Sequence, residues 1–177
     1  KYRPTALLAY ARAMHTLSMR KNVYAPADGF DPTPLYDELI SRYLESPEAV
    51  FSAIYKATRM VDLNRSDEAI AFLEKFLSDF KGERKLMGAV HTMLAQEYIL
   101  TRNDYKTAIK HYVAVRDLGV ANPRNQAPAQ FRIARIYDVR LKDYDAAERE
   151  YKRYLKEYPD SGEAVLAKRY LKELDDR

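Results

Sequence analysis

Cysteine and tryptophan are absent from this 177-residue chain, and glycine occurs only 5 times and proline 8 times. Without thiols there are no disulfides and no thiolate chemistry, although the compartment stays open because proteins of oxidising compartments can also lack cysteine. With so few breakers, long mixtures of alanine, leucine, glutamate, lysine and arginine favour helix nearly throughout, and no strand alternation interrupts them. Long apolar runs are missing too. The longest, residues 6–11, is far below the roughly 20 residues that a membrane-spanning helix needs. The sequence begins at Lys1 without a methionine, which reads as a trimmed or processed start that would hide any upstream signal peptide or lipid anchor.

Acidic residues are missing from residues 1–27, which hold Lys1, Arg3, Arg12, Arg20 and Lys21. The remaining 25 basic residues face 26 acidic ones, and the two signs interleave along the chain. The formal net charge of +4 therefore makes no single basic field and argues against a nucleic-acid groove. The basic stretch reads as an opening helix with Leu7, Tyr10, Met14 and Leu17 turned inward; contact with an acidic partner or an anionic membrane surface is the sharper alternative. A hydrophobic content of 47% excludes a disordered chain and allows one sizeable core or a short array of small units.

What the chain does have is an internal repeat. The segment "AQEYILTRNDYKTAIKHY" (95–112) aligns without gaps to "ARIYDVRLKDYDAAEREY" (134–151). Ala95 matches Ala134, Tyr98 matches Tyr137, Asp104 matches Asp143, Ala108 matches Ala147 and Tyr112 matches Tyr151. A weaker copy, "ATRMVDLNRSDEAIAFLEKF" (57–76), has one residue fewer in its turn, with Leu73 and Phe76 in the aromatic places. Each copy reads as two helices and a tight turn. In the last copy, Phe131, Ala134, Ile136 and Tyr137 mark the buried side of the first helix, and Tyr144, Ala147, Tyr151 and Tyr154 that of the second, at spacings of three, four or seven. Alanines let the helices approach closely, and the rings fill the gaps between one pair and the next. Asn103 with Asp104, and Lys142 with Asp143, sit where a helix must restart.

The spacing predicts nine helices, at about 4–20, 34–45, 47–62, 66–80, 83–101, 104–118, 127–141, 144–157 and 161–174. The expected fold is all-α, a right-handed α-solenoid of stacked antiparallel helix pairs. Residues 1–46 form a divergent pair, 47–82, 83–124 and 125–160 form three repeats, and 161–177 form a capping helix.

These residues resemble the tetratricopeptide repeat family over roughly residues 47–177. The third copy carries the likeness best, through Ala134, Tyr137, Ala147, Tyr151, Tyr154 and Pro159 in matching order with one extra residue in the turn. The second copy departs at "RDLGVANPRN", and the period is longer than the family's usual one. The phrase "YKRYLKEYPDSGEAVLAKRYL" is similar to the closing repeats of bacterial outer-membrane assembly lipoproteins and the periplasmic Tol-Pal coordinator. That resemblance points to a bacterial envelope or periplasmic setting, with the cytoplasm as the alternative.

Catalytic chemistry finds no constellation of acid, base or nucleophile, and no cofactor loop. His15, His91 and His111 are dispersed and lack the spacing of a metal helix motif, so no metal site is expected. "KGERK" (81–85) is a helix boundary with Gly82 in the turn, and "DYDAAERE" lacks the glycine of a calcium loop.

The resemblance implies instead a groove lined by the first helix of each pair, here Thr58 and Asp62, then Thr92, Gln96 and Ile99, then Phe131, Arg135 and Asp138. The carboxylate grip of chaperone-tail binders does not carry over, because the matching positions hold Ile54, Thr58, Met93, Pro128 and Arg132, and only Arg132 fits. The expected function is a non-enzymatic adaptor for a protein or peptide partner. The alternative is a regulatory or structural module that forms homo-oligomers through its first helix or its array ends.

Overall fold

The computed structural model describes residues 3–19, 31–118 and 123–176. The chain divides into two compact units, Lys1–Val90 and His91–Arg177, and the division falls inside the helix that opens the second repeat. Among the described residues every regular element is helical. No helix among them is long and apolar enough to cross a membrane.

The first unit holds α1 (Pro4–Met19), α2 (Thr33–Arg42), α3 (Pro47–Asp62) and α4 (Ser66–Asp79), each packed on its chain neighbour. Ser46 caps α3 by accepting a hydrogen bond from the Ala49 N–H at 3.2 Å, and Pro47 follows at the first helical position, where a missing N–H costs nothing. Ala53, Ala57 and Ala69 are fully buried and bring α3 and α4 together, with Leu73 and Phe76 filling the space beside them. Under α1, Leu8, Ala11, Tyr36 and Leu39 make a small core, and the Tyr36 hydroxyl donates to the Ala11 carbonyl at 3.2 Å. This corrects the inward face expected for α1. Leu7 packs against this core as expected, but Tyr10 is exposed, because docking of Tyr36 beneath Ala11 turns the buried stripe toward Leu8 and Ala11. The side chains of Met14 and Leu17 lie outside the described residues.

A single 3₁₀ turn, Arg84–Met87, leads into α5 (Gly88–Arg102). The second unit then continues with α6 (Tyr105–Asp117), α7 (Pro123–Arg135), α8 (Tyr144–Glu157) and α9 (Ala164–Asp175). Helices α6 to α9 each pack on the next. Ala127, Ala134, Ala147, Tyr151, Tyr154 and Ala167 form one core, with Phe131, Tyr137 and Tyr170 against it. Tyr144, expected on the buried side of α8, is exposed at the first helical position beyond the Asp143 cap.

The three hairpin turns share one device. Asn64, Asn103 and Lys142 each adopt left-handed backbone, with φ of 58°, 51° and 55°. Asp104 and Asp143 then cap the following helix, accepting from Thr107 N–H and Ala146 N–H at 3.0 Å. The weaker first copy places Arg65 at the cap and closes its turn from the Arg65 N–H to the Met60 carbonyl. The two longer copies close from Asp104 to Tyr98 and from Asp143 to Tyr137, one residue further back. In the third copy the extra residue is absorbed within the helix, because α7 widens into a π-helical segment at Ile136–Leu141 before the turn.

Candidate binding cleft

Four successive elements of the second unit contribute to a cleft of about 460 Å³. Helix α5 supplies Gln96, Ile99 and Leu100, α6 supplies Tyr112, α7 supplies Arg132 and Arg135, and the π-helical segment supplies Ile136, Val139 and Arg140. The repeat explains this convergence. Gln96 and Arg135 occupy equivalent places in the two aligned copies, as do Leu100 and Val139, so the two first helices present the same positions.

Apolar side chains lie open here. Leu100 is 76% exposed and Val139 39%, and both flank the half-buried Ile99. Cations frame them: three arginines line the cleft and no carboxylate does. Arg132 lies over the Tyr112 ring at 5.6 Å, with its Nη1 3.5 Å from the Tyr112 hydroxyl. Arg140 lies 5.8 Å from the Tyr105 ring centre. Burial pushes the Tyr112 phenol above its ordinary pKa, against the pull of the neighbouring Arg132, so it stays protonated beside that cation.

Arg135 is held differently. Its Nη1 donates to Asp138 Oδ2 at 2.9 Å and approaches the Tyr151 hydroxyl at 3.4 Å, while its guanidinium sits 4.0 Å from the Tyr170 ring centre. The Tyr151 hydroxyl donates to the same Asp138 oxygen at 3.2 Å. Burial drives the Tyr151 phenol far above its usual pKa, so at neutral pH it is a donor to the carboxylate. A second internal network lies nearby: fully buried Gln130 donates from Nε2 to the Glu150 carboxylate at 2.6 Å and accepts from Arg116 at 3.4 Å.

Of the residues expected to line a groove, Gln96, Ile99 and Arg135 come together in this cleft. Asp138 is buried beneath it as the partner of Arg135, and Phe131 packs between Tyr151, Tyr154 and Tyr170. Thr92 is half-buried on α5 and does not line the cleft. Thr58 and Asp62 belong to the first unit, where the Thr58 hydroxyl turns back onto the Ile54 carbonyl at 2.9 Å and Asp62 is exposed at the end of α3. Leu100, Val139 and Arg140 were not expected. The matched pair Leu100 and Val139 carried a signal, since both are apolar on the side away from the matched alanines Ala95 and Ala134 of the two copies.

The histidines also differ from expectation. His91 and His111 meet, with their Nδ1 atoms 3.0 Å apart, and Tyr98 stacks on His111 at 5.6 Å. At that contact one nitrogen donates and the other accepts. Among the described residues no group of three or more His, Cys, Asp or Glu side chains is arranged to hold a metal ion.

Residues 127–161, which span most of α7, the π-helical segment and α8, match the family model of the tetratricopeptide repeat. No curated protein matches the chain. The matched hairpin and the all-helical architecture together support a tetratricopeptide repeat protein, and a repeat of this kind supports a protein–protein interaction module with protein partners.

Proposed function

Starting from that hairpin, we propose that the protein is a non-enzymatic adaptor whose second unit binds a peptide or a protein surface in the cleft between α5, α6 and α7. The carrying observation is the open apolar floor of Ile99, Leu100 and Val139 gathered in one concavity. Isolated exposed leucines are ordinary, but apolar side chains gathered in a concavity with polar groups at the rim are the makings of a recognition site. Affinity capture followed by mass spectrometry tests this on the wild-type chain and on a Gln96→Ala, Leu100→Asp variant. Loss of a specific set of captured proteins from the variant is expected, and identical sets would rule the cleft out.

The placement in a bacterial envelope complex rests on the resemblance of residues 151–171, and fractionation of cells expressing the native gene tests it. The self-assembly reading draws on α9, where Val165 is 76% exposed and Leu166 37%. Light scattering over a range of concentrations separates the two readings: a constant monomer mass removes self-assembly, and a mass that rises with concentration and falls on Val165→Asp supports it.

A further inference from the structure

We propose that the cleft selects an acidic segment, one with two carboxylates flanking an aliphatic side chain; this rests on the cleft reading given above. The argument is charge complementarity over an apolar floor. Arg132 and Arg140 are exposed and have no ion-pair partner among the described residues, while Asp138, the acid buried beneath the cleft, is turned inward and already shared between Arg135 and Tyr151. Arg135 is thus internally neutralised, which leaves Arg132 and Arg140 as the two cations offered to a ligand. Each is steadied on a tyrosine, Tyr112 for Arg132 and Tyr105 for Arg140, which reduces the side-chain freedom lost on binding. A planar guanidinium held this way suits bidentate pairing with a carboxylate.

The spacing restricts the ligand further. Eight residues separate Arg132 from Arg140, about 12 Å along an unbroken α-helix and slightly less through the π-helical segment. An extended peptide covers that span in about four residues. Between the two cations lie Ile136 and Val139, with Ile99 and Leu100 opposite, so the middle of the segment meets apolar surface. A basic or purely polar segment would leave either the arginines or the aliphatic floor without a counterpart.

A random peptide library displayed on phage and selected on the full chain tests the inference. The expected winners carry Asp or Glu about four residues apart around Leu, Ile, Val or Phe. Their synthetic forms should lose about tenfold or more in affinity on Arg132→Ser with Arg140→Ser, and that loss should shrink at high salt. Arg140→Ser alone provides a milder variant that keeps the Arg132–Tyr112 contact. Winners that are neutral or basic, bind equally well to the arginine variants, and are lost on Leu100→Asp would overturn the acidic ligand while leaving the cleft in place. A selection with no peptide sensitive to Leu100→Asp would overturn both. A phosphoserine version that outcompetes its glutamate parent by more than about tenfold would replace the carboxylate ligand with a phosphopeptide.

Discussion

Asp138 and Ile99 hold the same place in the two aligned copies, yet one is buried and ion-paired and the other opens on the cleft. The aspartate acts on the cleft through Arg135, which it fixes together with Tyr151. Asp138→Ala should therefore cost stability, about 1–3 kcal/mol, because it leaves the Arg135 charge and the Tyr151 hydroxyl short of an acceptor. Urea unfolding checks this, and an unchanged midpoint would contradict it. Gly82 is constrained by space. A Cβ there would lie 2.4 Å from the Glu45 carbonyl oxygen and 2.5 Å from the Phe80 ring. Gly82→Ala must push backbone apart, and a loss of about 1–3 kcal/mol in thermal unfolding is the expected result. Ser52, fully buried on α3, has a hydroxyl with no partner among the described residues. Ser52→Ala should be neutral or raise stability by a few tenths to about 1 kcal/mol.

At the level of elements, the hairpin turns offer an opposed pair of changes. Lys142 is neither glycine nor asparagine and yet sits at φ 55°, a conformation that a Cβ makes costly. Lys142→Gly should raise stability by about 0.5–1 kcal/mol, whereas Asp143→Ala, which removes the cap on α8, should lower it by about 1 kcal/mol. Differential scanning calorimetry on both variants checks the opposite signs. These turns were legible beforehand because Asn, Asp and the repeat offset mark them directly, and the helix spans follow from the same periodicity. Where the reading missed, the cause was three-dimensional. The start of α7 at Pro123 rather than near residue 127 reflects a proline accepted at a first helical position. The π-helical widening at Ile136–Leu141 leaves no trace in a pattern of apolar spacing. The meeting of His91 with His111 depends on how α5 lies against α6, and the cleft itself was half visible, since helix faces could be assigned but burial of Asp138 beneath Arg135 could not.

For the molecule as a whole, buried tyrosines add a response at alkaline pH. The chain carries 15 tyrosines, and Tyr36, Tyr112, Tyr151 and Tyr154 are all buried. Burial raises the pKa of each of these phenols, that of Tyr36 to about 12. A raised folded-state pKa means that the native chain keeps protons which the unfolded chain releases above about pH 10. The contribution of these phenols to stability is thus fully present below pH 10 and falls as pH climbs toward 12, with Tyr36 alone accounting for about 1 kcal/mol by pH 11. Urea midpoints compared at pH 9 and pH 11 measure the fall, and equal midpoints would refute it. The widened turn of α7 has a consequence of another kind. Its amides are held by looser ring closures than those of the α-helical stretch before it, so Val139 and Arg140 should take up deuterium sooner than Ile133 and Ala134. Since Val139 and Arg140 also belong to the cleft wall, whatever settles there should slow that uptake, giving an unlabelled chain its own isotopic gauge of occupancy.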